Sequence, residues 1–229
     1  GENQQIMGLN YDHEGVRADR TIAKDDDGKT FVHNNLFTIK KDSKHRGKGV
    51  EFFASQVAAM QEAGVDYIET HAAGSATSEH YNGYYTWPRM GYDAELTLNQ
   101  LNILPKSLTN QLNGKRNIQS LFALPGGKEA WEIFGSDLME AKFDLTKGSK
   151  SIQILESYLK EREQAAAKPK EEQAKTKERV KNARKKMQEF RIRTPLGPPS
   201  GLPSLGGRMT DQQKEELLKT YIQERGSED

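Results

Sequence analysis

The stretch of residues 31–74 constrains this chain more than any other. It opens with an alternating apolar run, residues 31–39, that reads as a strand. A polar loop follows and ends in Arg46-Gly47-Lys48-Gly49. Residues 50–63 then carry Phe53, Val57 and Met60 at helical spacing, broadened by Phe52 and Ala59, and Gly64 stops them. Residues 65–70 read as a second strand. Strand, glycine turn, helix and strand in this order predict two neighbouring parallel strands bridged by a crossover helix.

Glycines at a strand-to-helix turn let backbone N–H groups approach a ligand, and the helix dipole favours an anion there. Lys44, Arg46 and Lys48 add positive charge. The spacing therefore predicts a phosphate-bearing ligand at the loop, although a glycine pair also serves as a turn device alone.

Lys44-His45-Arg46-Gly47-Lys48-Gly49 resembles the (Gln/Arg)-x-x-Gly-x-(Gly/Ala) signature of the GNAT acyl-CoA N-acyltransferases, with Lys44 at the Gln/Arg position. The segment from Tyr85 to Tyr92 resembles the part that closes the cofactor site in that superfamily. It is also similar to GNAT-like modules of phage and mobile-element proteins. The resemblance implies an α+β fold, a mixed sheet with packed helices. It implies acetyl-CoA as cofactor, with its pyrophosphate on Lys44, Arg46, Gly47, Lys48, Gly49 and Val50. It places the catalytic acid at a Tyr four residues before the closing glycine. Here that position is Trp87, with Tyr84 and Tyr85 as substitutes. Glu69 and His71, at the end of the second strand, are the candidate bases. The family's first strand and two helices, and its last two strands, are not visible in the pattern.

Residues 5–10 and 16–23 read as strands, and Asp25-Asp26-Asp27-Gly28 as a hairpin turn rather than a calcium loop. Residues 75–93 are polar and aromatic, and Pro88 argues against a regular helix there. Residues 96–147 read as helical pieces. With only 34% hydrophobic residues in 229, a compact part with solvated extensions is expected. The expected division is a core at 1–95, a helical extension at 96–147, a long charged helix at 148–193, a Pro/Gly linker at 194–209 and a terminal helix at 210–229.

The charged helix is basic towards its end. Residues 177–193 hold eight basic residues, among them Lys177, Lys181, Lys185 and Arg193, against two acidic ones. That run is a candidate nucleic-acid contact, but no aromatic residues interleave among the basic residues from Lys181 to Lys186 for base stacking. Thr210 and Gln213 have the spacing of a capping box. The helix they open carries Leu217, Leu218, Tyr221 and Ile222, too few for a core of its own. The expected role is docking onto a protein partner, in a homo-oligomer or a larger assembly.

There is no cysteine, and the five histidines show no close metal spacing, so no metal is expected. No apolar run approaches transmembrane length and no signal-like apolar segment opens the chain. A cytoplasmic or virus-particle location is expected, without secretion or a membrane partner. Two functions follow: an acetyl-CoA-dependent N-acyltransferase, degenerate at its acid, or a structural protein of a virion or other large assembly that keeps the core without activity.

Overall fold

The computed structural model describes residues 4–40, 42–78, 81–193 and 209–225. It is an α+β protein. Its strands are β1 (Gln4–His13), β2 (Val16–Lys24), β3 (Thr30–Ile39), β4 (Tyr67–Ala72) and β5 (Leu138–Asp144). They form one mixed five-stranded sheet in the order β1-β2-β3-β4-β5. The first compact unit spans Gly1–Glu95, Asn117–Gln119 and Ser136–Glu163; the second spans Leu96–Arg116, Ser120–Gly135 and Gln164–Asp229.

In the first unit, Glu14 and Gly15 both have positive φ, 50° and 82°. That is the two-residue hairpin turn whose twist matches its strands. The second hairpin is held by Asp25, whose Oδ1 accepts from the N–H groups of Asp27 and Lys29. Helix α1 (Gly49–Glu62) then crosses over, and β3 pairs with β4 in parallel, Phe31 opposite Tyr67 and Asn34 opposite Thr70. This is the strand-helix-strand unit the sequence predicts.

Phe53 and Val57 are buried on α1, while Met60 is half-buried and Ala59 exposed. Burying each large apolar side chain contributes about 1.5–3 kcal/mol. Gln56 is buried among them, which the apolar stripe does not foretell. Its amide donates to Asn34 Oδ1 (3.0 Å) and its Oε1 accepts from Arg20 Nη2 (3.0 Å). Arg20 Nε also donates to Asn34 Oδ1, and Asn34 Nδ2 donates to the Tyr92 hydroxyl. Buried polar groups are satisfied together here, as a low-dielectric interior requires.

Three expectations are corrected in the order of elements. Residues 83–89 form a helix, α2 (Gly83–Arg89), despite Pro88. The proline is its penultimate residue, so it ends the helix and does not prevent it. The expected all-helical region 96–147 contains β5, antiparallel to β4 with Ile68 opposite Phe143. Its burial alternates around Leu138, Ala141 and Phe143, a pattern hidden by its charged partners. The long charged helix is two helices, α7 (Lys150–Ala167) and α8 (Lys170–Arg193), divided at Pro169.

Between β4 and β5 lie α3 (Leu98–Ile103), α4 (Lys106–Gln111), α5 (Ile118–Phe122) and α6 (Gly127–Phe134). Thr97 and Gln100 cap α3 reciprocally. In the second unit, α9 (Asp211–Arg225) packs against α6 and α8. The capping box at its start is present, with Thr210 N–H donating to Gln213 Oε1 at 2.8 Å. The docking expectation for α9 is corrected: Leu217, Leu218 and Tyr221 are buried within this same chain. Lys214 Nζ donates to Asn102 O, and Lys106 pairs with Asp211 at 3.0 Å. Most of the expected linker, residues 194–208, lies outside the described residues.

Candidate functional site

The glycine loop is built where the sequence places it. Gly47 has φ +85°, which turns the chain from the end of β3 into α1. A Cβ at Gly49 would meet only Ile39 and Phe37, at 3.8 and 3.9 Å. No side chain caps α1, so the first-turn N–H groups of Gly49, Val50 and Glu51 lack helical acceptors. Arg46 and Lys48 are exposed beside them and Val50 is buried.

Lys44 does not face this mouth. Its Nζ lies 2.7 Å from Glu14 Oε2, and His45 Nε2 lies 3.0 Å from the same oxygen. Bonds from Lys44 and His45 hold the Glu14 carboxyl down to about 2. The cation that reaches the loop comes instead from Arg162 on α7. Its Nη2 donates to Gly47 O at 2.7 Å and lies 3.5 Å from Glu51 Oε1. No local pattern marks Arg162, because it is one charged residue in a charged helix 115 positions from Gly47.

The parallel strands pair only over residues 31–34 and 67–70. Beyond Asn34, β3 carries a bulge: Arg20 pairs with Asn34 and Asp19 with Leu36, leaving Asn35 extra. Asn35 Nδ2 donates to Thr21 Oγ1 at 3.1 Å. Past the bulge β3 runs on to Ile39 with no β4 partner, so the ladder parts after Asn34 and Thr70, and Phe37 and Ile39 of the unpaired stretch lie nearest Gly49 at the start of α1. Trp87 lies at this parting, its ring 6.3 Å from Phe37, 5.6 Å from Phe53 and 5.2 Å from Tyr92. It is a packing residue with no proton to give to a thiolate beyond its indole N–H.

Of the substitutes, Tyr84 and Tyr85 are both buried on α2, which starts beside the end of β4 where Tyr84 N–H donates to Ala73 O. Arg89 stacks over the Tyr85 ring at 5.4 Å. Glu69 and His71 alternate with Ile68, Thr70 and Ala72 along β4. Thr70 lies in register with Asn34, the residue under α1, so Glu69 and His71 occupy the opposite sheet face. The structure thus puts the candidate bases and the start of α1 on different faces of the sheet.

Glu69 is committed to neighbours. His33 Nδ1 lies 3.2 Å from Oε1 and Lys142 Nζ 3.5 Å from Oε2. The His33 bond, against the cost of burial and with help from Lys142, keeps its carboxyl below the usual range. That weakens it as a base. His71 Nε2 lies 3.5 Å from Asp137 and is substantially exposed.

The same face holds a groove of about 530 Å³ that sequence reasoning did not foresee, lined in part by Asp25, Tyr67, Asp93, Lys142 and Asp144. Its carboxylates hold backbone. Asp93 Oδ1 accepts from the N–H groups of Ala94 and Gln119, and Asp144 Oδ1 from Thr146 N–H. Burial raises the Tyr67 hydroxyl's pKa, and its bond to Asp25 (3.0 Å) adds to that. No group of metal-ligating side chains occurs among the described residues.

The basic run on α8 is partly spent on internal pairs. Arg184 binds Glu132, Lys181 lies 3.8 Å from Glu178, and Lys186 binds Glu224. The side chains of residues 187–193 lie outside the described residues. No helix among the described residues is long and apolar enough to cross a membrane. The chain matches no protein-family model, no curated protein and no solved structure.

Proposed function

We propose that this chain binds an acyl-CoA in GNAT fashion and is an N-acyltransferase whose acid–base machinery is degenerate. The observation that carries the reading is the parting of β3 and β4 beside an uncapped helix N-terminus that Gly47 and Gly49 keep open. Pyrophosphate oxygens would take the free N–H groups around Gly47 to Val50, with Arg46, Lys48 and Arg162 offsetting the charge. The pantetheine arm would enter between the strands.

In the reaction an amine nitrogen forms a bond to the thioester carbon, the C–S bond breaks, the amine loses a proton and the thiolate gains one. Of the two candidate bases we take His71, since the pairs with His33 and Lys142 weaken the Glu69 carboxylate as a proton acceptor. Tyr84 and Tyr85 are the remaining acids. Positioning alone supplies much of the rate in such a transfer, so a weak acid slows it without abolishing it.

A second reading, a structural subunit of a virion or other assembly, is favoured by Trp87, which packs among aromatic rings at the position where the resemblance calls for the acid. Calorimetric titration of the full chain with acetyl-CoA tests the first reading. Binding that is lost in Gly49→Glu supports it. That variant places a carboxylate at the mouth while its Cβ fits the space present. Absence of binding by the unaltered chain overturns it. Release of free coenzyme A with an amine acceptor then separates enzyme from binding module.

A further inference from the structure

β1 is the outer strand of the sheet, with β2 on one side only among the described residues. Every residue from 7 to 13 is exposed, and Met7, Leu9 and Tyr11 are the large apolar ones, at 51%, 37% and 47%. They pair with Ile22, Arg20 and Ala18, so all three side chains stand on one face of the sheet. Natural edges are usually blunted by lysine, proline or an inward charge. Residues 7–11 carry none of these.

The free edge has a defined parity. His13 and Val16 close a two-residue turn, so they form a hydrogen-bonded pair. Alternation then turns the backbone groups of Tyr11, Leu9 and Met7 towards β2. Those of Gly8, Asn10 and Asp12 face outwards. The bulge between Gln5 and Met7 lies before this stretch.

We propose that this edge pairs with β1 of a second copy of the chain, antiparallel about a two-fold axis at Leu9. The strand is self-complementary in that register. Gly8 and Asn10 of one copy meet Asn10 and Gly8 of the other, all with outward-facing backbone groups, and form the hydrogen-bonded pairs. Leu9 meets Leu9, and Met7 meets Tyr11. Shifting by two residues either way sets Tyr11 against Gln5 or Met7 against His13, so only the Leu9-centred register matches every apolar side chain with another. No charged residue falls within the five paired positions. The axis is normal to the sheet, so six apolar side chains form one row on one face, and two five-stranded sheets become continuous. Strand pairing alone lies at the small end of protein interfaces, so the dimer should be reversible with concentration.

The absence of cysteine makes the register directly readable. Leu9→Cys puts two thiols opposite each other in a non-hydrogen-bonded pair, at a Cα spacing of about 4.5 Å that a disulfide can bridge. Under mild oxidation it should cross-link much faster than Asp27→Cys, which lies in the other hairpin turn. Sedimentation of the full chain should show mass rising from one chain to two with concentration. Asn10→Pro removes an outward N–H and spares the β2 ladder. It should weaken association about tenfold or more, with the circular dichroism spectrum kept. Leu9→Lys should do the same if the proline variant does not fold. A single-chain mass at every concentration overturns the proposal. So does equal cross-linking of the two cysteine variants, or a dimer that neither Asn10→Pro nor Leu9→Lys weakens, which would place the contact elsewhere.

Discussion

Arg225 Nη1 donates to Glu132 Oε2 at 2.7 Å, across 93 positions of sequence. Both side chains are nearly inaccessible, 9% and 5% exposed. Arg184 binds the other carboxylate oxygen at 2.6 Å, so one carboxylate ties α6, α8 and α9 together. Removing one partner of a buried pair leaves charge in a low dielectric and typically costs about 3–5 kcal/mol. Glu132→Ala should lower the unfolding free energy of the second unit by that order, read from the fall in its urea midpoint. Glu132→Gln should cost less, because it keeps shape and one acceptor. A midpoint unchanged in Glu132→Ala would show that the pair does not hold these helices.

Leu218 is buried on α9, 3.8 Å from where a Cβ on Gly126 would stand. Leu218→Asp should therefore destabilise the second unit in the monomer, by about 2–5 kcal/mol from lost packing and a buried charge. Limited proteolysis should cut α9 first. Loss of oligomer mass with α9 still protected would instead restore a docking role between chains.

Gly91 has φ +105°, and a Cβ there would lie 2.4 Å from Ser151 O. Ser151 lies in the first turn of α7, which crosses this close to the turn after α2. Gly91→Ala combines backbone strain with a clash against another main chain, and should cost at least about 2–3 kcal/mol. Thermal unfolding reads it. A variant as stable as the parent would mean that α7 does not sit so close.

The Glu69 carboxyl is held low chiefly by His33, so its pairing favours the folded state whenever it is ionised. The unfolded chain takes up the proton first. The stabilisation is therefore full above the ordinary Glu value of about 4.3 and is lost as pH falls through the lower folded value. Glu69→Gln should be less stable at neutral pH and should lose less stability between about pH 6 and pH 3. Parallel pH curves for the two proteins would exclude this pair as a source of acid sensitivity.

The centre of the fold was legible because its signals are local. Alternation in residues 31–39, the glycines at 47 and 49, the apolar stripe at Phe53 and Val57 and the stop at Gly64 each act within a few residues of themselves. They announce the parallel pair of β3 and β4 and the open mouth of α1. The hairpin turn at Asp25 to Gly28 and the capping box at Thr210 are local in the same way. The rest depends on distant partners. Strand β5 joins the sheet because Ile68 receives Phe143, 75 positions further along the chain, and its own pattern of charged and apolar residues is too short to declare a strand. Arg162 reaches Gly47, and Glu69 is silenced by His33 and Lys142, only once the chain has closed. An amphipathic helix shows in sequence that it needs a cover, as α9 does, but its periodicity carries no address. Which groove receives Leu217, Leu218 and Tyr221 was settled only by the tertiary structure, in which the nearly inaccessible Glu132 and Arg225 pair and the more exposed Arg184 joins the same carboxylate, and such pairing strengthens where water has been excluded.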